Sequence, residues 1–314
     1  MAAADPRTGV GLALACLVIL GVMPVIADSR PAGTSALGFA FFLSVWQLVF
    51  SLPLLLYELG SANRGIFGAN LSPRLRRRMA ATVITTSLMF GLSTYCYVLA
   101  VEKAGAVSAA IAIVSYPLFA IAWETLFLGR RKNAVELAFT AVLLGALVYL
   151  GTGGTWRIEG LSLWFLFALS VPLLWSVAHV IIKEELGATP ITPAQVTFFR
   201  VAISALALGL VLVFAEGAGS VAAGFGDLRF QAHALAMGLA YYLELVLWFY
   251  AVRSIDVSLA SSITVPWPAL TMVLAVTLLG EPVAGYQIAT FSLVAASIYG
   301  LIYADAAKRR RAAA

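Results

Sequence analysis

Residues 98–129 recur 151 positions later, over residues 249–280, with no gap between the copies. Pro117 falls on Pro268, Tyr116 on Trp267, and Leu128-Gly129 on Leu279-Gly280. Both copies are almost wholly apolar. A duplicated unit without a polar face cannot sit on the surface of a soluble globule. Two related helical halves in a bilayer, with a solute site between them, accommodate it.

Composition agrees. The chain of 314 residues is 62% hydrophobic and 11% charged, whereas a soluble domain carries about a quarter charged residues. A span needs about 20 apolar residues. Ten stretches qualify, near 9–27, 36–58, 79–100, 106–128, 134–151, 160–182, 192–215, 230–252, 258–279 and 283–303. The first imitates a signal peptide, with Arg7 ahead of it and Val25-Ile26-Ala27 behind. The second half, however, requires a counterpart for its own first helix, so the stretch is read as a span. The connections are short and leave no room for a soluble domain.

Lys and Arg set the orientation. Ten spans with a cytoplasmic N-terminus put fifteen basic residues inside, among them Arg74, Arg76 to Arg78, Arg130 to Lys132 and Lys308 to Arg311. Only Arg30, Lys103, Arg157 and Arg229 then lie outside. Both termini are expected in the cytoplasm. Beside spans, the basic runs read as anchors at an anionic leaflet and not as a nucleic-acid site.

Five spans per half is an odd number, so the halves, residues 1–155 and 156–314, are expected to be inverted relative to each other. The basic turn at Arg130-Arg131-Lys132 and its unbasic copy Glu281-Pro282-Val283 fit opposite sides. Elsewhere the repeat is fainter: Ser44, Trp46, Gln47 and Ser51 align with Thr197, Phe199, Arg200 and Ser204; Leu20-Gly21 with Trp175-Ser176; Ser93 with Glu244. The expected fold class is thus an all-α integral membrane protein, ten helices as two inverted five-helix repeats around a central cavity.

Enzyme chemistry finds little support. Cys16 and Cys96 lie inside spans without CxxC spacing, His179 and His233 are the only histidines, and the phosphate-loop, dinucleotide and HExxH patterns are absent. No cofactor or metal is expected, and a gradient would have to drive any uphill transport. A lipid enzyme or a sensor is a remote alternative.

Residues costly in lipid must face the interior or water. Glu244 lies midway along its span behind Ala236 and Ala240 on one face, placed to meet an amine or a proton. His179 is placed to exchange protons. Arg200 is placed for a carboxylate, for snorkelling or for pairing with Glu244. Thr264, Trp267 and Thr271 share a face in the ninth span, and Tyr116 occupies the matching place in the fourth. Pro117 and Pro268 each remove a helical hydrogen bond, making a hinge or a free carbonyl. Trp123, Trp164, Trp248 and Tyr303 read as an interfacial belt, and Glu124 and Glu281 as turn or cap features. The faces Ala141/Gly145 and Ser292/Ala296 suggest close helix packing.

The segment FYAVRSIDVSLASSITVPWPALTMVLAVTLLGEPVAGYQ resembles the end of an EamA-type half in the drug/metabolite transporter superfamily. The aromatic-Tyr-Ala opening, small-residue helix, mid-helix Pro and Gly-Glu-Pro turn carry the likeness. Phe199-Arg200 and Trp175-Ser176 fit the second and first helices of such a half. Leu20-Gly21 departs from the usual Trp-Gly or Trp-Ser, Gln47 from the usual Arg, and Arg130 from Glu. Within the superfamily the chain resembles bacterial aromatic amino acid exporters of the YddG type.

The resemblance implies a bacterial inner-membrane secondary transporter exporting amino acids or similar metabolites by alternating access, as a monomer or a dimer. Cationic drugs or nucleotide sugars are the alternative cargo. The expected substrate-binding residues are Tyr116, Trp267, Trp175, Glu244, Thr264, Thr271 and Gln47. The expected coupling or gating residues are His179, Arg200, Pro117 and Pro268.

Overall fold

The computed structural model describes residues 6–61, 64–116, 118–119, 122, 134–157, 162–254, 260 and 263–313. The described residues are helical, with no strand among them. Helix α1 runs Pro6–Asp28, α2 Ala36–Gly60, α3 Pro73–Ala104, α4 Ala106–Ile113 and α5 Ala134–Gly151. Then follow α6 Leu163–Ala168, α7 Ser170–Ala188, α8 Pro193–Glu216, a short α9 Ala218–Gly226, α10 Leu228–Ser254, α11 Trp267–Leu274 and α12 Gly285–Ala313.

Local chemistry explains where these helices begin and end. Ser35, Ser72, Ser162 and Thr192 each accept a hydrogen bond from the backbone N–H three residues on, satisfying one of the orphan donors of a helix start. Thr192 and Gln195 complete a reciprocal capping box. Pro73 and Pro193 open α3 and α8, where a missing N–H costs nothing. Gly105 and Gly217, at φ of 81° and 83°, end the same two helices in a conformation that disfavours any residue with a Cβ.

Among the described residues, six helices are long and apolar enough to cross a membrane: Arg7–Asp28, Ala36–Gly60, Pro73–Ala104, Leu163–Ala188, Pro193–Glu216 and Leu228–Ala251. Leu137–Gly151 and Trp267–Leu279 are apolar but shorter. The fourth and ninth expected spans are not single described helices, because each is interrupted. Val114-Ser115 and Val265-Pro266 are turns at equivalent places of the repeat. Leu118 N–H donates to Ser115 O at 2.9 Å, and 151 positions on Ala269 N–H donates to Pro266 O, also at 2.9 Å. Pro268 thereby falls in the first turn of α11, where it breaks no hydrogen bond. Pro117 lies outside the described residues.

Polar ties define two faces of the bundle. On one, Thr192 Oγ1 donates to Glu58 at 2.5 Å, Gln195 Nε2 to Arg64 O at 2.8 Å, and Arg78 lies 3.8 Å from Glu185. This is the basic face. On the other, Ser35 Oγ donates to Glu216 at 2.5 Å, Gln287 Nε2 to Ser108 at 3.1 Å, and Arg30 pairs with Glu102.

Packing follows a pattern of exchange between the halves. Helix α1 packs on α10 and α3 on α6 and α7; α2 packs on α10 and α3 on α8; α2 meets α8, and α5 meets α12. Swapping each helix for its counterpart in the other half maps these pairs onto one another. Glycine admits the closest approaches. A Cβ on Gly238 would lie 2.7 Å from Leu43 O on α2, and one on Gly300 would clash with the Phe139 ring on α5. The α5–α12 contact is therefore a ring in a glycine notch. Ala141, Ser292 and Ala296 are exposed, and Gly145 has only Trp156 near it, at 3.9 Å. The expected small-residue packing face is not the one used.

Candidate functional site

Where α1, α10 and α11 face α3, α4 and α7, they leave a cavity of about 800 Å³ including its mouth. One wall presents Leu20 of α1, Tyr241, Glu244 and Trp248 of α10, and Thr264 and Trp267 around the break before α11. The opposite wall presents Phe90 of α3, Val114 and Tyr116 at the break after α4, and Trp175 and His179 of α7, with Arg200 of α8 closing the side. Exchange of the halves carries one wall onto the other.

The charged groups are held differently. The Arg200 guanidinium sits 4.0 Å from the centre of the Phe90 ring, a cation–π contact that holds it partly desolvated. His179 packs against the same residue, its ring 5.3 Å from Phe90. Among the described ion pairs none joins Arg200 to Glu244, so the expected pairing is not formed. Arg200 is also 6% exposed, which excludes snorkelling to the surface.

Aromatic packing fixes one side. Trp175 Nε1 donates to Ser93 Oγ at 3.0 Å, and Ser93 Oγ to Phe90 O at 2.9 Å. Trp175 stacks on Tyr97 at 6.3 Å, and Tyr241 stands edge-on to both. The repeat gives this hydrogen bond a second meaning. Trp175 aligns with Leu20 and Ser93 with Glu244, so the half that holds the carboxylate has a leucine where the other has an indole donor. Leu20 cannot engage Glu244, and the carboxylate is left facing the cavity.

Of the residues expected from sequence, Tyr116, Trp267, Trp175, Glu244, Thr264, His179 and Arg200 line this one cavity. Thr271 does not: its hydroxyl donates to Gly21 O at 2.8 Å, tying α11 to α1. Gln47 does not either. It is 3% exposed on the stretch of α2 that Gly238 approaches. Pro268 is buried in α11. Trp248 is a correction, since it lines the cavity instead of standing in an interfacial belt. Its signal was Tyr97, its counterpart 151 positions earlier, which is buried. Phe90 and Tyr241 were missed because single aromatic residues in an apolar helix carry no distinguishing pattern. Among the described residues no cluster of His, Cys, Asp or Glu could hold a metal.

Residues 162–303 match the model of the EamA-like transporter family. This part of the chain, from α6 to α12, is thus similar to EamA-like transporters, a family of small-molecule carriers. No curated protein matches the sequence. Among solved structures 28 chains match. One, a crystal structure of a protein 14% identical, superposes with a TM-score of 0.64 over 95% of this chain and 98% of that one. At that identity the likeness is one of fold.

Proposed function

We propose that the protein is a secondary transporter of amino acids or similar small amphipathic metabolites, built as two inverted five-span halves, residues 1–155 and 156–314. It exports its cargo across a bacterial inner membrane by alternating access. The EamA-like match to the second half supports the transporter class and a place in the drug/metabolite superfamily. The matched bond at the two helix breaks, and the exchange pattern of helix packing, support the inverted repeat. The fifteen-to-four bias of Lys and Arg supports a cytoplasmic basic face with both termini on it.

One observation carries the cargo class. A single cavity presents a carboxylate, a guanidinium and a set of aromatic rings. Glu244 suits an ammonium group, Arg200 a carboxylate, and Trp175, Trp267 and Tyr241 an apolar or aromatic side chain. A zwitterion uses both charges. An organic cation is the second reading, favoured by the carboxylate among aromatic faces; Arg200 opposes it.

Binding to purified protein separates these. For a zwitterion, Glu244→Gln and Arg200→Gln each weaken binding of an aromatic amino acid at least tenfold. For a cation, Glu244→Gln weakens binding of a quaternary ammonium probe while Arg200→Gln strengthens it. Unchanged affinity in Glu244→Gln and Trp267→Ala removes the site.

A further inference from the structure

Helices α3 and α8 meet halfway along their length and part toward the basic face. At the meeting point the Ser204 hydroxyl donates to Ser87 O at 2.7 Å, and a Cβ on Gly91 would lie 3.4 Å from Ser204 Cα. Toward Pro73 larger side chains hold the two helices apart and leave a groove of about 530 Å³ including its mouth. Ala80, Val83 and Ile84 of α3 form one side of it, and Phe199 and Ile203 of α8 the other. Ala80 is exposed and so is Ile84, so the groove opens outward from the bundle. It shares no lining residue with the cavity between the walls.

Depth decides what the groove can meet. The uncharged part of α3, residues 79–101, is centred between Ser87 and Gly91, so the contact with Ser204 lies near the middle of the bilayer. Arg76 precedes Ser87 by three helical turns, about 16 Å along the axis. One leaflet of hydrocarbon is about 15 Å deep, half of a core of about 30 Å. Arg76 therefore stands at the level of the lipid headgroups, and it is the one polar residue among those lining the groove. A short 3-10 turn before α3, Gly65–Phe67, marks the same level. It is pinned where Ile66 N–H donates to Gln195 Oε1 at 3.1 Å. Phe67 is exposed beside Phe199, ring centres 6.2 Å apart, as an aromatic residue at a membrane surface would be.

The protein makes no use of the Arg76 charge in an ion pair. Among the described ion pairs the basic run contributes Arg78 alone, 3.8 Å from Glu185. From the bilayer centre outward the lining is thus apolar for the depth of one leaflet and then cationic. A phospholipid has the same order, chain and then phosphate. Arg74, Arg77 and Arg78 beside Arg76 favour a lipid with net negative charge over a neutral one.

We propose that the α3–α8 groove is a binding site for an anionic phospholipid of the leaflet at the basic face, with one acyl chain between the helices and the phosphate on Arg76. The guanidinium fork matches the phosphate oxygens. A chain in the groove braces α3 against α8, the two helices that carry Phe90 and Arg200. The inference rests on the chain spanning a bilayer, and not on its cargo or on alternating access.

The test counts lipid and needs no transport. Purified protein in nonionic detergent is titrated with dioleoyl phosphatidylglycerol or dioleoyl phosphatidylcholine. Retained lipid is read by native mass spectrometry and stabilisation by thermal unfolding. One phosphatidylglycerol per chain is expected to be retained and to raise the unfolding temperature, with phosphatidylcholine held about tenfold more weakly. Arg76→Gln weakens phosphatidylglycerol about tenfold, the loss of a charged hydrogen bond. Arg77→Gln, in the same run but outside the groove, has less than about a twofold effect. Ala80→Trp keeps every charge, fills the groove and abolishes retention. Equal losses in Arg76→Gln and Arg77→Gln would mean general attraction to an anionic surface and overturn the site. Unchanged retention in Ala80→Trp, or displacement of the lipid by equimolar inorganic phosphate, overturns it too. A lipid-free mass of two chains, lost in Ala80→Trp, gives the groove to a second copy instead. Where Ala80→Trp does not fold, the comparison of Arg76→Gln with Arg77→Gln decides.

Discussion

Among the described residues Glu244 has no side-chain hydrogen bond to its neighbour in α1, because that neighbour is Leu20. In the other half of the repeat the matching pair is closed by the Trp175–Ser93 hydrogen bond at 3.0 Å; here Leu20 has no donor to give. Converting the neighbour should therefore close the site. Leu20→Trp is expected to weaken ligand binding at least tenfold while leaving the fold intact, as read by titration and thermal unfolding. Trp175→Phe keeps the stacking on Tyr97 but drops the hydrogen bond, for a loss of about 1 kcal/mol in thermal stability. Outside the spans, burial first and the charge of Asp28 second push the Glu281 carboxyl above its ordinary range, against the pull of two backbone N–H groups. A raised value in the folded state favours the neutral form. Stability is then complete below the ordinary carboxylate value, about 4.3, and falls as pH rises through the raised one. Thermal unfolding across that window should show the fall in the parent and a flatter line in Glu281→Gln.

Two elements show what could and could not be read from the sequence. The helix breaks were legible, because paired prolines in a gapless repeat mark equivalent hinges. Their form was not: the turn comes just before the aromatic-proline pair, so Pro268 starts a helix instead of kinking one. The packing of α5 on α12 was misread. Small residues at four-residue steps are as compatible with a lipid-facing surface as with a seam, and only the partner helix decides. Phe139 in the notch at Gly300 is that decision. Gly300→Leu should overpack the contact at a cost of roughly 1–3 kcal/mol. Ala141→Leu, on the exposed face, should change the unfolding temperature little. Equal effects would contradict the seam.

At the scale of the molecule, helix contacts recur in matched pairs: α1 on α10 and α7 on α3, α2 on α10 and α8 on α3. Helices α1, α10 and α11 form one wall of the cavity, and their counterparts α7, α3 and α4 form the other. Sequence alone brought Glu244, Trp175, Trp267, Tyr116, Thr264, His179 and Arg200 to one place, because polar and aromatic residues in lipid-length helices have few places to go. It could not separate them from Thr271, whose hydroxyl bonds Gly21 O, or from Gln47, which is buried on α2 away from the cavity. A hydroxyl on a helix face bonds either a ligand or a neighbouring carbonyl, and spacing does not say which. The central claim is that this cavity carries a zwitterionic solute across the membrane. Counterflow in proteoliposomes tests it most directly, with labelled amino acids scanned against unlabelled competitors, for the parent and Glu244→Gln. The account predicts uptake of aromatic or apolar amino acids, competed by their own unlabelled forms and lost in Glu244→Gln. Undiminished counterflow in folded Glu244→Gln, or none with any amino acid in the folded parent, would contradict it.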